Sequence, residues 1–181
     1  PGEKGGPSNP PQARARTPPQ RAALAAADLA LLSTTQWGAL RSTQLTSLTS
    51  TAVAGLDTTR LSGLTTTQVA GLSPTAVSAL DATRFGALTT SQIAALTSTQ
   101  LKGLAPEDMA DFSATQIAAI AAAQLASLPS TGVSALSVDQ IAALTTTQVK
   151  ALAAAQITAL QPSQAAALST TQLAALSSVQ V

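Results

Sequence analysis

The residues able to act chemically on a ligand are few. Glu107, Asp108 and Asp111 form the densest acidic group, and oxygen donors of this kind are what a hard divalent cation takes. A structural account is simpler. Glu107 and Asp108 fall in the first turn of a predicted helix, where the dipole favours anions, and Asp111 falls at a solvated corner. Ser and Thr hydroxyls are abundant, but a hydroxyl nucleophile needs an adjacent base, and the chain has no His and no Cys. Met109, on a core column, is the one thioether and makes no haem or metal site by itself. Arg60 and Arg84 recur 24 residues apart, as do Asp57 and Asp81, and are expected to form ion pairs with one another or with Asp108 across neighbouring segments. Trp37, Phe85 and Phe112 fall on apolar columns and read as packing residues. No catalytic, cofactor-binding or metal-binding residues are assigned, and the chain is expected not to be an enzyme.

Composition narrows the classes further. The 181 residues are 45% hydrophobic, 9% charged and 2% aromatic, with a net charge of +1. Disordered chains combine low hydrophobicity with high charge, the opposite of what is found here. No strong field points to nucleic acid or to an anionic membrane. Without Cys there are no disulfides, which leaves the compartment open. The most apolar run, residues 22–32, contains Asp28 and is too short to span a bilayer, which takes about 20 residues. The chain begins at Pro1 and stops at "SSVQV", inside a repeat, which reads as a processed product or a fragment.

Two regions are expected. Residues 1–16 are rich in Pro, Gly and Arg and read as a linker or tail. From Thr17 to Val181 the chain runs in blocks of eight, numbered here from position one at Thr17. Position eight is Leu from Leu24 to Leu176 except at Phe112 and Ile120, and position five is apolar from Leu29 onward. Position four is mostly Gln, position seven is small, and position one favours Ser, Thr or Asp. Fixed self-similarity of this kind is the signature of a repeat architecture.

A period of eight suits neither a strand nor a continuous helix. Positions five and eight have opposite parity, so a strand would send them to opposite faces. A helix turns about 100° per residue, so its apolar stripe would drift by roughly 80° per block. A broken helix fits. Ser/Thr at position one and Gln at position four make a capping box, and Pro74, Pro106 and Pro162 all sit at position two, the first helical residue, where Pro is tolerated. Each octad is therefore predicted to form a helix of about two turns, starting at position one or two and ending near eight. Ordering one octad costs roughly 8–16 kcal/mol of backbone entropy, and burying two side chains returns roughly 3–6 kcal/mol. The octads must stack on one another, as solenoid repeats do.

The expected fold is an all-α solenoid with one short helix per octapeptide. The recurrence at 24 residues of the positions where Gln is lost (Arg60, Arg84, Asp108 and Gly132) points to three octads per superhelical turn, although Gln36 and Gln156 break the series. The predicted core includes Trp37, Leu40, Val69, Leu72, Phe85, Leu88, Ile93, Leu96, Ile117, Ile141 and Leu144. The predicted helix caps include Ser33 with Gln36, Thr65 with Gln68, Thr89 with Gln92, and Thr145 with Gln148. Stacked at the roughly 8–10 Å of packed helices, the octads would make a rod of about 60 Å.

The octads "TTSQIAAL", "TSTQLKGL" and "STTQLAAL" resemble the [ST]-x-x-Q-[ILV]-x-x-L repeat regions of very large bacterial proteins described as surface adhesins or haem-utilisation/adhesion proteins. The resemblance covers residues 17–181. It implies a secreted or surface-exposed region that extends or scaffolds. The uncapped ends of the predicted solenoid suggest head-to-tail self-association, because a contact that does not close gives a fibre; other domains of a larger protein are the alternative partners. Two further readings stand beside a stalk or filament subunit. One is an interaction module that binds a partner along one face. The other is ice binding by the regular array of Thr35, Thr43, Thr51, Thr59, Thr67 and Thr75. No cofactor, nucleic acid or membrane span is expected.

Overall fold

The computed structural model describes residues 31–180. The region 1–16 and the first octad, with Arg21 in its apolar column, lie outside the described residues. The described chain is all-helical, with one helix per octad. The first six are α1 (Thr34–Gly38), α2 (Ser42–Leu45), α3 (Ser50–Ala54), α4 (Thr58–Ser62), α5 (Thr66–Ala70) and α6 (Pro74–Val77). Next come α7 (Ala82–Ala87), α8 (Thr90–Ala94), α9 (Ser98–Lys102), α10 (Pro106–Ala110), α11 (Ala114–Ala119) and α12 (Ala122–Ala126). The last are α13 (Ser130–Ser134), α14 (Val138–Ala142), α15 (Thr146–Ala151), α16 (Ala154–Thr158), α17 (Pro162–Ala166) and α18 (Thr170–Ala174).

Within an octad the backbone follows one programme. Position one is an extended N-cap; Thr65 has φ −70° and ψ 158°. The Thr65 hydroxyl accepts from the N–H of Gln68 at 3.2 Å, and Gln68 Oε1 accepts from the N–H of Thr65 at 2.8 Å. Reciprocal boxes also join Ser33 with Gln36, Thr89 with Gln92, and Thr145 with Gln148. Position seven often stays near the helical region with ψ close to zero, as at Gly71 (φ −84°, ψ −8°). Position eight then swings out: Leu88 has φ −71° and ψ 134°. No residue among those described has a positive φ. The corner is thus made without the left-handed residue that closes many helices.

The helices are shorter than the two turns predicted from the sequence; most have five residues. The reason is the Leu at position eight. It leaves the helix so that its side chain enters the core from the corner, while its N–H still bonds the carbonyl of position five, as Leu72 does to Val69 at 3.1 Å.

The larger coil has three octads per turn. Helices pack on the helix three places along: α2 on α5, α4 on α7, α8 on α11, α12 on α15, and α15 on α18 among others. Positions five and eight meet in one continuous core. Trp37, Val69, Phe85, Ile93, Ile117 and Ile141 of position five are buried, as are Leu40, Leu72, Leu88, Leu96 and Leu144 of position eight. The Phe85 and Phe112 rings stack between successive coils, with centroids 4.8 Å apart and planes tilted by 58°. Position three is exposed in every octad from Thr35 to Val179. Lys102 and Lys150 at position six also face solvent.

Position seven is small because coils approach there, most closely at two glycines. A Cβ on Gly71 would lie 2.6 Å from Ser42 Cβ and 2.8 Å from the Ser42 carbonyl oxygen. On Gly103 it would meet Pro74 Cβ at 2.8 Å. Thr46 reinforces the first contact by donating its hydroxyl to the Gly71 carbonyl at 2.8 Å.

Candidate functional site: the interface between coils

The side chain that organises the interface is the Gln of position four. Its oxygen caps its own helix. Its amide nitrogen points the other way, to the end of an octad four places earlier in the chain. Gln68 Nε2 donates to the carbonyls of Trp37 (3.0 Å) and Leu40 (2.8 Å). Gln92 donates to Leu61 and Leu64 (2.8 and 2.7 Å), Gln100 to Val69 and Leu72 (2.8 and 2.7 Å), and Gln116 to Phe85 and Leu88 (2.8 and 2.7 Å). The pattern continues through Gln140, Gln148, Gln156, Gln172 and Gln180, always 31 and 28 residues back.

The last carbonyls of a helix lack full intrahelical pairing, and where position four is Gln an amide from the coil stacked beside them donates to them. The buried polar side chains among the described residues are all position-four glutamines. Where position one supplies no cap, as at Ala121, Ala153 and Gln161, the Gln oxygen still accepts the N–H of that residue.

Arg takes over this role at two positions. The Arg84 guanidinium pairs with Asp81 in its own octad and donates through Nε to the Leu56 carbonyl at 2.9 Å. Arg60 pairs with Asp57 and donates to the Leu32 carbonyl at 3.3 Å. Among the described residues the Asp–Arg ion pairs are therefore internal to one octad, and Asp108 takes no part in them. Crossing between coils is done by the guanidinium acting on backbone, because the position-four side chain of either type lies over the same corner. An open cleft of about 310 Å³ lies beside Asp81 and Arg84, lined also by Leu56, Asp57, Thr58 and Thr83.

Asp108 occupies a Gln slot without a Gln's donor. Its Oδ2 accepts from the N–H of Ala105 at 2.9 Å. Burial pushes its carboxyl above the ordinary carboxylate range; the Ala105 bond opposes this, and the charges of Asp111 and Glu107 add to it. Among the described residues no side chain donates to the carbonyls of Val77 and Leu80, the pair that this slot serves elsewhere. No group of three or more His, Cys, Asp or Glu side chains among the described residues is placed to hold a metal ion. Gly132 also lacks an amide, and its N-cap is Pro129, which has no N–H for a Gln oxygen to accept.

No helix among the described residues is long and apolar enough to cross a membrane. The amide's bond across coils is what the sequence reading missed. The missed signal is in position four itself: a capping box accepts Glu as readily as Gln, yet Glu never occurs in this column. The Gln amide accepts on one side and donates on the other, whereas an ionised Glu can only accept. No curated protein and no solved structure matches the chain. A family model, the ALTTAQ repeat, matches residues 117–154, so the stretch from α11 to the start of α16 is similar to that repeat.

Proposed function

We propose that the chain is a non-enzymatic structural repeat protein, a stalk or filament-forming subunit that is extracellular or on a cell surface. The observation that carries this reading is how its buried polar groups are used. Every buried polar side chain described is a position-four Gln, hydrogen bonded within the stack of coils. That use of the interior's polar groups, to hold one coil on the next, is what supports a structural role. A solenoid of this kind lengthens by adding octads, and its ends are the surfaces on which another coil stacks. The resemblance of the octads to repeat regions of large bacterial surface proteins is what supports a rod outside the cell.

Electron microscopy of the purified chain at rising concentration tests this. Rods of about 60 Å, from helices stacked roughly 8–10 Å apart, support a spacer, and fibres of constant width support a filament subunit. Shapeless particles would refute both.

A second reading rests on position three. Its side chains are exposed in every octad and are Thr at Thr35, Thr43, Thr51, Thr59, Thr67 and Thr75. With three octads per turn these fall into three rows, Thr35 with Thr59, Thr43 with Thr67 and Thr51 with Thr75, and such a row suits ice binding or a protein partner. Thermal hysteresis tests the first, and loss of partner binding on replacing the Thr row with Lys tests the second.

A further inference from the structure

One octad in the middle of the stack is tied down less than its neighbours. In every other octad from Ser33 to Leu176, the position-five N–H bonds the position-one carbonyl and the position-eight N–H bonds the position-five carbonyl. Ile93 does so to Thr89 at 3.0 Å, and Leu96 to Ile93 at 3.1 Å. In residues 105–112 neither bond forms. The N–H of Asp108 bonds the Ala105 carbonyl at 3.1 Å instead, and that of Asp111 the Asp108 carbonyl at 3.2 Å. Ala105 brings no hydroxyl cap. Glu107 and Asp111 place like charges four residues apart, a spacing that destabilises a helix.

The bonds across coils are missing at the start of the same octad. Asp108 donates nothing to the Val77 and Leu80 carbonyls of the coil before. Gly132 has no side chain to donate to Leu101 and Leu104, the corner from which the octad sets out. The octads on either side are held: Gln100 donates to Val69 and Leu72, and Gln116 to Phe85 and Leu88. The far end of the octad is held too, by Gln140 Nε2 on the Met109 and Phe112 carbonyls at 3.0 and 2.6 Å. Leu104 is only half-buried, while every other position-eight side chain from Leu40 to Leu152 is buried. Burial of Met109, 1% exposed, and of Phe112, stacked on Phe85, is what closes the octad.

We propose that residues 104–111 form a strap that opens locally, hinged at the Gln140 contact, while the coils on both sides stay closed. Opening uncovers Met109 and the Phe85–Phe112 pair and gives the coil stack one yield point at a fixed place. Segments that open below the global unfolding energy are those with the fewest protecting bonds, and here the deficit is confined to one octad and its leading corner. The strap belongs to the fold and would serve a stalk, a filament subunit or a binding module alike.

Two experiments on the full chain test it. Met109 is the chain's one methionine, so its oxidation reads the opening. Hydrogen peroxide transfers one oxygen to the thioether sulfur and leaves as water, and the adduct is followed by intact mass. Oxidation is expected to proceed in native buffer, at a rate that urea below the unfolding transition changes little, because a local opening exposes little surface. No oxidation in native buffer, or a rate that climbs with urea at the slope of global unfolding, would overturn the strap.

In the second, Asp108→Gln and Gly132→Gln together supply the two absent donors. An added Cβ at Gly132 meets Pro129 at 3.8 Å, an ordinary contact. The double variant is expected to slow Met109 oxidation by at least about tenfold, the ratio that corresponds to about 1.4 kcal/mol. Hydrogen exchange at the amides of Asp108 and Asp111 should slow by a similar factor, with exchange at Ile93 and Ile117 unchanged. Unchanged oxidation, or equal slowing at all four amides, would overturn the assignment. Asp108→Gln alone, at a partly exposed position, is expected to act in the same direction and keeps the test valid if Gly132→Gln disturbs its coil.

Discussion

Replacing Gln92 by Glu changes one atom type and tests the logic of the interface. The Glu oxygen that replaces Oε1 would still accept the Thr89 N–H, which Gln92 takes at 2.7 Å. The other would replace Nε2, which lies 2.8 Å from the Leu61 carbonyl and 2.7 Å from that of Leu64. Two donated bonds become two oxygen–oxygen contacts, at a side chain 2% exposed. The lost bonds are worth about 1 kcal/mol each, and the unsatisfied buried oxygen costs at least roughly 1–3 kcal/mol more, the range for a neutral group. The variant should therefore lose at least about 3–5 kcal/mol at neutral pH.

Protonation converts the second oxygen into a donor and restores one bond. The folded-state pKa of the new Glu should then rise by roughly two units, at 1.36 kcal/mol per unit. A raised folded pKa gives stability that is fully present below the unfolded value and is lost as pH rises through the folded one. Urea unfolding followed by circular dichroism, near pH 4 and near pH 7, should show Gln92→Glu recovering a large part of its loss in acid. Gln92→Ala should lose less at neutral pH, about 2–3 kcal/mol, and recover nothing in acid. A Glu variant no weaker than the Ala variant at neutral pH, with no recovery in acid, would refute the placement of the amide on the carbonyls.

Asp108→Gln should stabilise the chain by about 1–2 kcal/mol, by supplying the missing donor to Val77 and Leu80. Because the Asp108 pKa is raised, its contribution is lost as pH rises through its folded value, so urea titrations of the variant should show less stability lost on going from acid to neutral pH. Gly71→Ala should cost about 1–3 kcal/mol by overpacking against Ser42. Gly86→Ala, inside α7 with nothing within 4 Å of the new Cβ, should instead gain up to about 1 kcal/mol of helix propensity. Thermal melts of the two variants should move in opposite directions. Phe85→Ala removes a fully buried ring stacked on Phe112 and should cost about 3–5 kcal/mol, read as a fall in the urea midpoint.

The parts of this fold that depend on neighbours in sequence were legible without coordinates. Thr65 and Gln68 are three apart, and the cap they form needs no knowledge of the rest of the chain. The core columns follow in the same way, since Val69 and Leu72 can be buried together only if every octad turns the same side inward. Contacts 28–31 residues apart carry no local mark. The Gln92 amide and the Leu64 carbonyl meet only once the number of octads per turn is set, and the recurrence at 24 was the one hint of that number. Arg60 and Arg84 show the cost of lacking it. Their place in the Gln column was visible, but their cross-coil partner is backbone, which the sequence does not distinguish from one residue to the next. The early end of each helix was also hidden, because a Leu that continues a helix and a Leu that leaves it are written alike.

The corner between octads uses only backbone conformations open to every ordinary residue. A gain or loss of eight residues therefore needs no special sequence at the junction. Its effect is a rotation: every later octad moves to the next of the three sides of the coil. Core columns and Gln amides recur in most octads and survive the shift. The Asp–Arg pairs at 57–60 and 81–84 share one side only because they are 24 residues apart. Lineages whose repeat number changes in steps of eight would keep the rod and scramble the pattern on its surface. Those that change in steps of 24 would keep both, so the surface pattern can be inherited or discarded independently of the fold.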